Sequence, residues 1–129
     1  MVVNGDGLDE ITITGKTKIT ELNKGKITNY YFDPKEYGFK YAKFEELEVK
    51  TKEESAQIIL EILNGKKSAK RDVVVLNAAA ALIIAGKAKN FKEGIKLAEE
   101  SIDSKKALHS LEELKKISQN WTRLRRGEH

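Results

Sequence analysis

The sequence predicts an α/β fold: a β-hairpin and short strands first, then a helical, bundle-like half. Three observations predict it. Between Thr17 and Phe32, two runs alternating apolar and polar or β-branched residues flank the turn signal Asn23-Lys24-Gly25, the pattern of a hairpin. From Thr51 onward, helix-capping patterns recur ahead of helix-length runs. Within that half, Val73 to Ala85 is apolar except for Asn77, and a helix without a polar face is expected to be buried on all sides.

The chain opens on "VVNGDGLDEITITG" (Val2 to Gly15), where an Asp-Gly turn breaks an apolar run and two adjacent acids, Asp9 and Glu10, follow. "ITIT" (Ile11 to Thr14) alternates as a short strand would. "TKITEL" (Thr17 to Leu22) and "KITNYYF" (Lys26 to Phe32) form the hairpin. Asp33 is placed to cap one turn of helix with Pro34 at its first position. Thr51 and Glu54 make a capping box for a helix that should end at Asn64-Gly65, where a left-handed residue is needed. A second helix, "RDVVVLNAAAALIIAGK", stops at Gly86, and its alanines Ala78 to Ala81 let neighbouring backbones come close. A third starts after Asn90, with Glu93 at cap spacing. Ser104 is placed to cap a fourth, "KKALHSLEELKKIS", whose Leu108, Leu111 and Leu114 form an apolar stripe. The tail, residues 119–129, is basic and expected to fray.

Composition narrows the class. A chain of 129 residues with 40% hydrophobic and 34% charged content has the makeup of one soluble globular domain. With no cysteine, disulfides and thiolate zinc sites are excluded, which fits a reducing, cytoplasmic setting. No leader pattern is evident, and no apolar run reaches the roughly 18 residues of a membrane span. The formal charge of +4 is mild, a solvated lysine-rich surface rather than a mark of nucleic acid.

Asp9 and Glu10 admit two readings from the residues alone. Acids beside a turn are commonly just solvated. Alternatively, Gly5 and Gly7 permit the backbone angles and close approach that bring carboxylates to one point. Such an arrangement suits Mg²⁺, which takes one or two protein carboxylates and completes its shell with water and substrate phosphates. Adjacent residues of an extended segment point to opposite sides, so unless the turn curls the pair serves two ions or divides the work. No catalytic side chain is identified. His109 reads as an exposed helical histidine, and His129 has no partner at metal spacing. "GKT" (Gly15 to Thr17) lacks the leading glycine and following helix of a phosphate loop. Trp121 with Arg123, Arg125 and Arg126 has the ingredients to stack on a nucleic-acid strand, but the favoured reading of these residues is a frayed basic terminus.

"NGDGLDEITITGKTKITEL" followed by "RDVVVLNAAAALIIAGKAKNFKEGIKLAEESIDSKKAL" closely resembles the C-terminal part of the anthranilate phosphoribosyltransferase family, over about Val2 to Leu114. One departure is Asn4, where many relatives carry histidine. The resemblance implies the nucleoside phosphorylase/phosphoribosyltransferase catalytic α/β domain. It also implies a transferase of tryptophan biosynthesis, moving phosphoribosyl from phosphoribosyl diphosphate to anthranilate with Mg²⁺. Carried over residue by residue, Asp9 and Glu10 are the metal contacts. Gly5, Asp6 and Gly7 shape the substrate loop, with Asp6 the weaker contact.

The phosphate loop and anthranilate-binding residues that family members carry upstream are not in this sequence. The resemblance therefore implies that residues 1–129 are a C-terminal fragment of the catalytic domain, inactive alone. Its parts are an acidic metal loop and hairpin (1–32), helices (51–118) and the basic tail (119–129). Exposed apolar faces and strand edges would favour a homo-oligomer. Two alternatives are a non-enzymatic, nucleic-acid-binding relative and a subunit that completes its site with a partner chain. Carboxylates at the contact surface argue against nucleic acid.

Overall fold

Three strands come first: β1 (Val2–Gly5), β2 (Thr17–Asn23) and β3 (Lys26–Phe32). They form one antiparallel sheet in the order β1-β2-β3. The register sets Thr17 opposite Phe32 and Asn23 opposite Lys26, leaving a two-residue turn whose Lys24 and Gly25 have φ of 49° and 79°. Two positive φ values give the twist that matches flanking strands, so the hairpin forms where its turn signal lies. This computed structural model describes the backbone of residues 1–125 and the side chains of residues 1–119.

The strand expected at Ile11 to Thr14 is not there. The strand that joins the hairpin is Val2–Gly5, with Val3 opposite Ile19. Ile11, Thr12 and Ile13 are all fully buried, and the segment is held by side chains instead of a ladder. The Thr12 hydroxyl accepts the Thr14 N–H (3.1 Å) and shares a hydrogen bond with Thr14 Oγ1 (2.8 Å). Hydroxyls that satisfy the local backbone compete with strand pairing. Alternation here marked a segment buried on both faces, not a half-buried strand.

Four helices follow: α1 (Lys52–Leu63), α2 (Ala69–Ile84), α3 (Phe91–Asp103) and α4 (Lys106–Arg125). Single turns of 3₁₀ helix at Pro34–Tyr37, capped by Asp33 as expected, and at Phe44–Glu46 precede them. Each of the first three helices has an N-cap side chain on the third N–H. Thr51 Oγ1 accepts from Glu54 (3.1 Å), Ser68 Oγ from Arg71 (3.1 Å) and Asn90 Oδ1 from Glu93 (3.0 Å). The carboxylates of Glu54 and Glu93 reach one residue beyond the cap, to the N–H groups of Lys50 and Lys89. Ser104 does not cap α4. It closes α3, its N–H donating to the Glu100 carbonyl (2.9 Å), and α4 opens from Lys105, which lies at φ 66°. The helix runs on to Arg125, so the segment expected as a frayed tail begins as helix. The nucleic-acid reading of Trp121, Arg123, Arg125 and Arg126 concerns side chains outside the described residues.

The core lies between the inner face of the sheet and the α2–α3 pair. Ile19 and Phe32 from the sheet, Ile11 from the connection, Val75, Leu76 and Ala79 from α2, and Phe91, Ile95, Ala98 and Ile102 from α3 form one buried cluster. Phe32 and Phe91 meet at 4.5 Å between ring centroids. The small residues of α2 let α3 come close: a Cβ on Gly94 would lie 2.9 Å from the Ala79 carbonyl oxygen. Yet α2 is not buried on all sides. Val74 remains 42% and Ile84 58% exposed, because a sheet of three strands and α3 cover only part of its circumference. The uncovered part opens on an apolar groove of about 440 Å³ lined by Val74, Ala78, Ala81, Leu82, Leu97 and Ala107, among others.

Candidate metal centre

The acid pair sits just beyond the tip of a tight turn. Gly5 and Leu8 exchange backbone hydrogen bonds, each 3.0 Å. Asp6 and Gly7 between them have φ of 54° and 88°. This is the two-positive-φ turn that an Asp-Gly pair adopts most readily. Asn4 Oδ1 accepts weakly from the Gly7 N–H (3.4 Å). After Leu8 the chain bends at Asp9 and Glu10 instead of running extended, so the strict two-sided alternation of a strand does not apply to them.

The glycines play different parts. At Gly7 a Cβ would meet nothing within 4 Å, so the left-handed backbone is what matters there. At Gly5 space is decisive. A Cβ would stand 2.5 Å from the Glu10 carbonyl oxygen and 2.8 Å from both Thr12 N and Thr12 Cβ. The missing methyl is the space in which the Glu10 backbone is seated.

On its other side the pair is anchored by the three residues that follow it. Asn77, from the middle of α2, grips Ile11: its Oδ1 accepts the Ile11 N–H (2.9 Å) and its Nδ2 donates to the Ile11 carbonyl (2.9 Å). Thr17 Oγ1 accepts the Thr12 N–H (3.1 Å). The Ile13 carbonyl accepts the Ala42 N–H (3.1 Å). Three consecutive residues are thus tied to three separate parts of the chain, and all three are fully buried. Asp9 and Glu10, immediately before them, are exposed.

Neither carboxylate of the pair makes a hydrogen bond or an ion pair among the described residues. Some other acids do find partners: Asp33 meets Lys16 at 3.6 Å, and Asp103 meets Arg71 at 2.9 Å. Two hard, unpaired oxygen donors on an anchored turn fit Mg²⁺, which needs few protein ligands. They do not make a closed cage. Among the described residues no three acids or histidines are grouped to hold a metal, so Asp6 is not brought in as a third ligand with Asp9 and Glu10. The other motifs dissolve. "GKT" leads directly into β2, with Thr17 buried and Lys16 beside Asp33, and His109 is an exposed residue of α4. His129 lies outside the described residues. Asn77 was missed as a site residue, although its being the one polar residue in Val73 to Ala85 was the signal available.

Solved structures share this arrangement of strands and helices. An anthranilate phosphoribosyltransferase from Thermus thermophilus superposes with a TM-score of 0.78 at 37% identity, over 86% of this chain and 33% of that one. One from Saccharomyces cerevisiae, in complex with PRPP and Mg, gives 0.74 at 30% identity, over 85% of this chain and 32% of that one. Among curated proteins, anthranilate phosphoribosyltransferases from a Thermoanaerobacter species and from Methanococcoides burtonii are 55% and 52% identical over 88% of this chain. The chain spans about a third of the length of these curated relatives, 34% and 32%. The family model described as "Glycosyl transferase family, a/b domain" matches residues 1–108. The chain belongs to that glycosyl transferase family.

Proposed function

We propose that this chain provides the metal-holding part of an anthranilate phosphoribosyltransferase site, in which phosphoribosyl passes from phosphoribosyl diphosphate to anthranilate during tryptophan biosynthesis in the cytoplasm. The observation that carries the reading is the contrast at residues 9–13: two exposed, unpaired carboxylates fixed to three buried, hydrogen-bonded residues. The relatives' names and the Mg and PRPP in the yeast complex support it. Asp9 and Glu10 would hold Mg²⁺, and the Gly5-Asp6-Gly7 turn would shape the loop beside the diphosphate.

The chemistry asks for charge at one place. As the bond from the anomeric carbon to diphosphate breaks, negative charge grows on the leaving oxygens. Bound Mg²⁺ supplies the opposing charge there. The protein's part is to fix the backbone that carries the two carboxylates, and the buried anchor at Ile11 to Ile13 holds it from the C-terminal side. Nothing among these contacts supplies an anthranilate pocket, and Asp9 and Glu10 lie open to solvent. Residues 1–129, as a C-terminal part of the catalytic domain, are therefore expected to bind diphosphate weakly and to lack turnover on their own.

Equilibrium dialysis of labelled phosphoribosyl diphosphate against the purified chain, with and without Mg²⁺, tests the reading. Binding that requires Mg²⁺, together with no loss of anthranilate fluorescence in a transfer assay, is the expected result. Metal-independent binding would contradict the site, and clear turnover would contradict the expected inactivity.

A further inference from the structure

Asn77 does more than satisfy itself. Its Nδ2 has two hydrogens, and both are used: one on the Ile11 carbonyl and one on the Val73 carbonyl four residues back in α2, each at 2.9 Å. Its Oδ1 takes the Ile11 N–H, also at 2.9 Å. Turning the amide over would face Oδ1 toward two carbonyl oxygens and Nδ2 toward an N–H, so the orientation is fixed by the network. The Ile11 N–H belongs to the same peptide unit as the Glu10 carbonyl, and that carbonyl is seated where a Cβ on Gly5 would come to 2.5 Å. One peptide plane, joining Glu10 to Ile11, is therefore held from both sides: by the Asn77 amide on its N–H and by the bare Cα of Gly5 on its carbonyl.

A polar side chain inside an apolar helix has a simpler way to be satisfied. A serine at the same place would bond back to the Val73 carbonyl without touching Ile11. What asparagine adds is the paired grip on both backbone groups of the residue next to the acids. We infer that Asn77 is a positioning residue for the acid pair, setting through Ile11 the direction in which Asp9 and Glu10 present their carboxylates to a divalent cation. The inference rests on the reading of Asp9 and Glu10 as metal ligands. It adds that the affinity of that site is set from α2. Outer-shell partners that hydrogen-bond a ligand directly govern metal affinity by about 10- to 100-fold; Asn77 acts one residue further out, so the lower end of that range is expected.

The test is a Mn²⁺ titration of the purified chain, with free Mn²⁺ read by electron paramagnetic resonance. It compares the wild type, Asn77→Ser, the double variant Asp9→Asn/Glu10→Gln, and Ile95→Val, a core change made on α3. Urea denaturation of each variant shows how far stability has fallen. The expected result is binding lost in the double variant, weakened about tenfold in Asn77→Ser, and unchanged in Ile95→Val even where the two are destabilised alike. If Asn77→Ser does not fold, Asn77→Asp replaces it. That variant keeps the acceptor for the Ile11 N–H but sets a carboxylate against two carbonyls, and it carries the same expectation. Wild-type Mn²⁺ affinity in a folded Asn77 variant would overturn the positioning role and leave the metal reading standing. Mn²⁺ binding that is absent from the wild type, or that survives in the double variant, would overturn the metal reading and the positioning role with it.

Discussion

Gly5 and Gly7 look alike in the sequence, and the structure separates them. At Gly5 the obstructing atoms are backbone and a Cβ, at 2.5 to 2.8 Å, and these cannot swing aside as the end of a long side chain can. Gly5→Ala is therefore predicted to cost about 1–3 kcal/mol by overpacking and to shift the Glu10–Ile11 peptide. At Gly7 only φ of 88° matters, so Gly7→Asn, a residue that tolerates the left-handed region, is predicted to be close to neutral. Urea denaturation of the two variants decides it, and equal costs would contradict the assignment. The acid pair itself was legible, because two carboxylates on a glycine turn are visible as text. Its anchoring was not: the partner of Ile11 lies 66 residues away in sequence, and only packing brings α2 to it.

At the scale of elements, the helix boundaries were the most legible feature. Cap chemistry is local, and Thr51, Asn90 and the glycines at 65 and 86 act within a few residues of where they stand. Ser104 misled for the same local reason, since a serine between two helices suits the end of one as well as the start of the next. The α2–α3 contact gives the sharpest stability prediction. Gly94→Ala sets a methyl 2.9 to 3.1 Å from Ala79 atoms and should cost about 1–3 kcal/mol. Phe32→Ala, which removes the ring stacked on Tyr37 and tilted against Phe91, should cost about 3–5 kcal/mol. Calorimetric or urea unfolding with no loss in either would contradict the packing described.

The link between α2 and the end of α3 also sets a pH dependence. The Arg71 guanidinium, 1% exposed and 2.9 Å from Asp103, holds the Asp103 carboxyl below the usual carboxylate range. A carboxyl that ionises more easily folded than unfolded adds stability above its unfolded pKa, about 4. That stability is lost as the pH falls through the folded value. Burial shifts Asp72 the other way, so its contribution runs opposite and grows as the pH falls. Asp103→Asn is predicted to lower Tm at neutral pH and to flatten the loss of Tm below about pH 4. A variant whose acid limb is as steep as that of the wild type would show that the pair does not govern it.

For the molecule as a whole, the α/β class and the order of strands before helices were readable, because period and turn chemistry are carried along the chain. The degree of burial was not. A helix without a polar face was expected to be enclosed, and α2 instead shows Val74 and Ile84 to solvent. Sequence indicates what a helix would bury, not how many neighbours are there to bury it. On α4, Leu114 and Ile117 are likewise exposed. Apolar surface of this kind promotes association, and the chain is predicted to self-associate through the open side of α2 and α4. Light scattering across a concentration series checks this, and a strict monomer at high concentration would contradict it.

The role proposed for Asp9 and Glu10 is to hold a divalent cation against a diphosphate. Calorimetric titration of inorganic diphosphate into the purified chain, with and without Mg²⁺, tests it most directly when repeated on Asp9→Asn/Glu10→Gln. Heat of binding is expected only for the wild type with Mg²⁺ present. Equal binding by the double variant, or binding that ignores Mg²⁺, would contradict it.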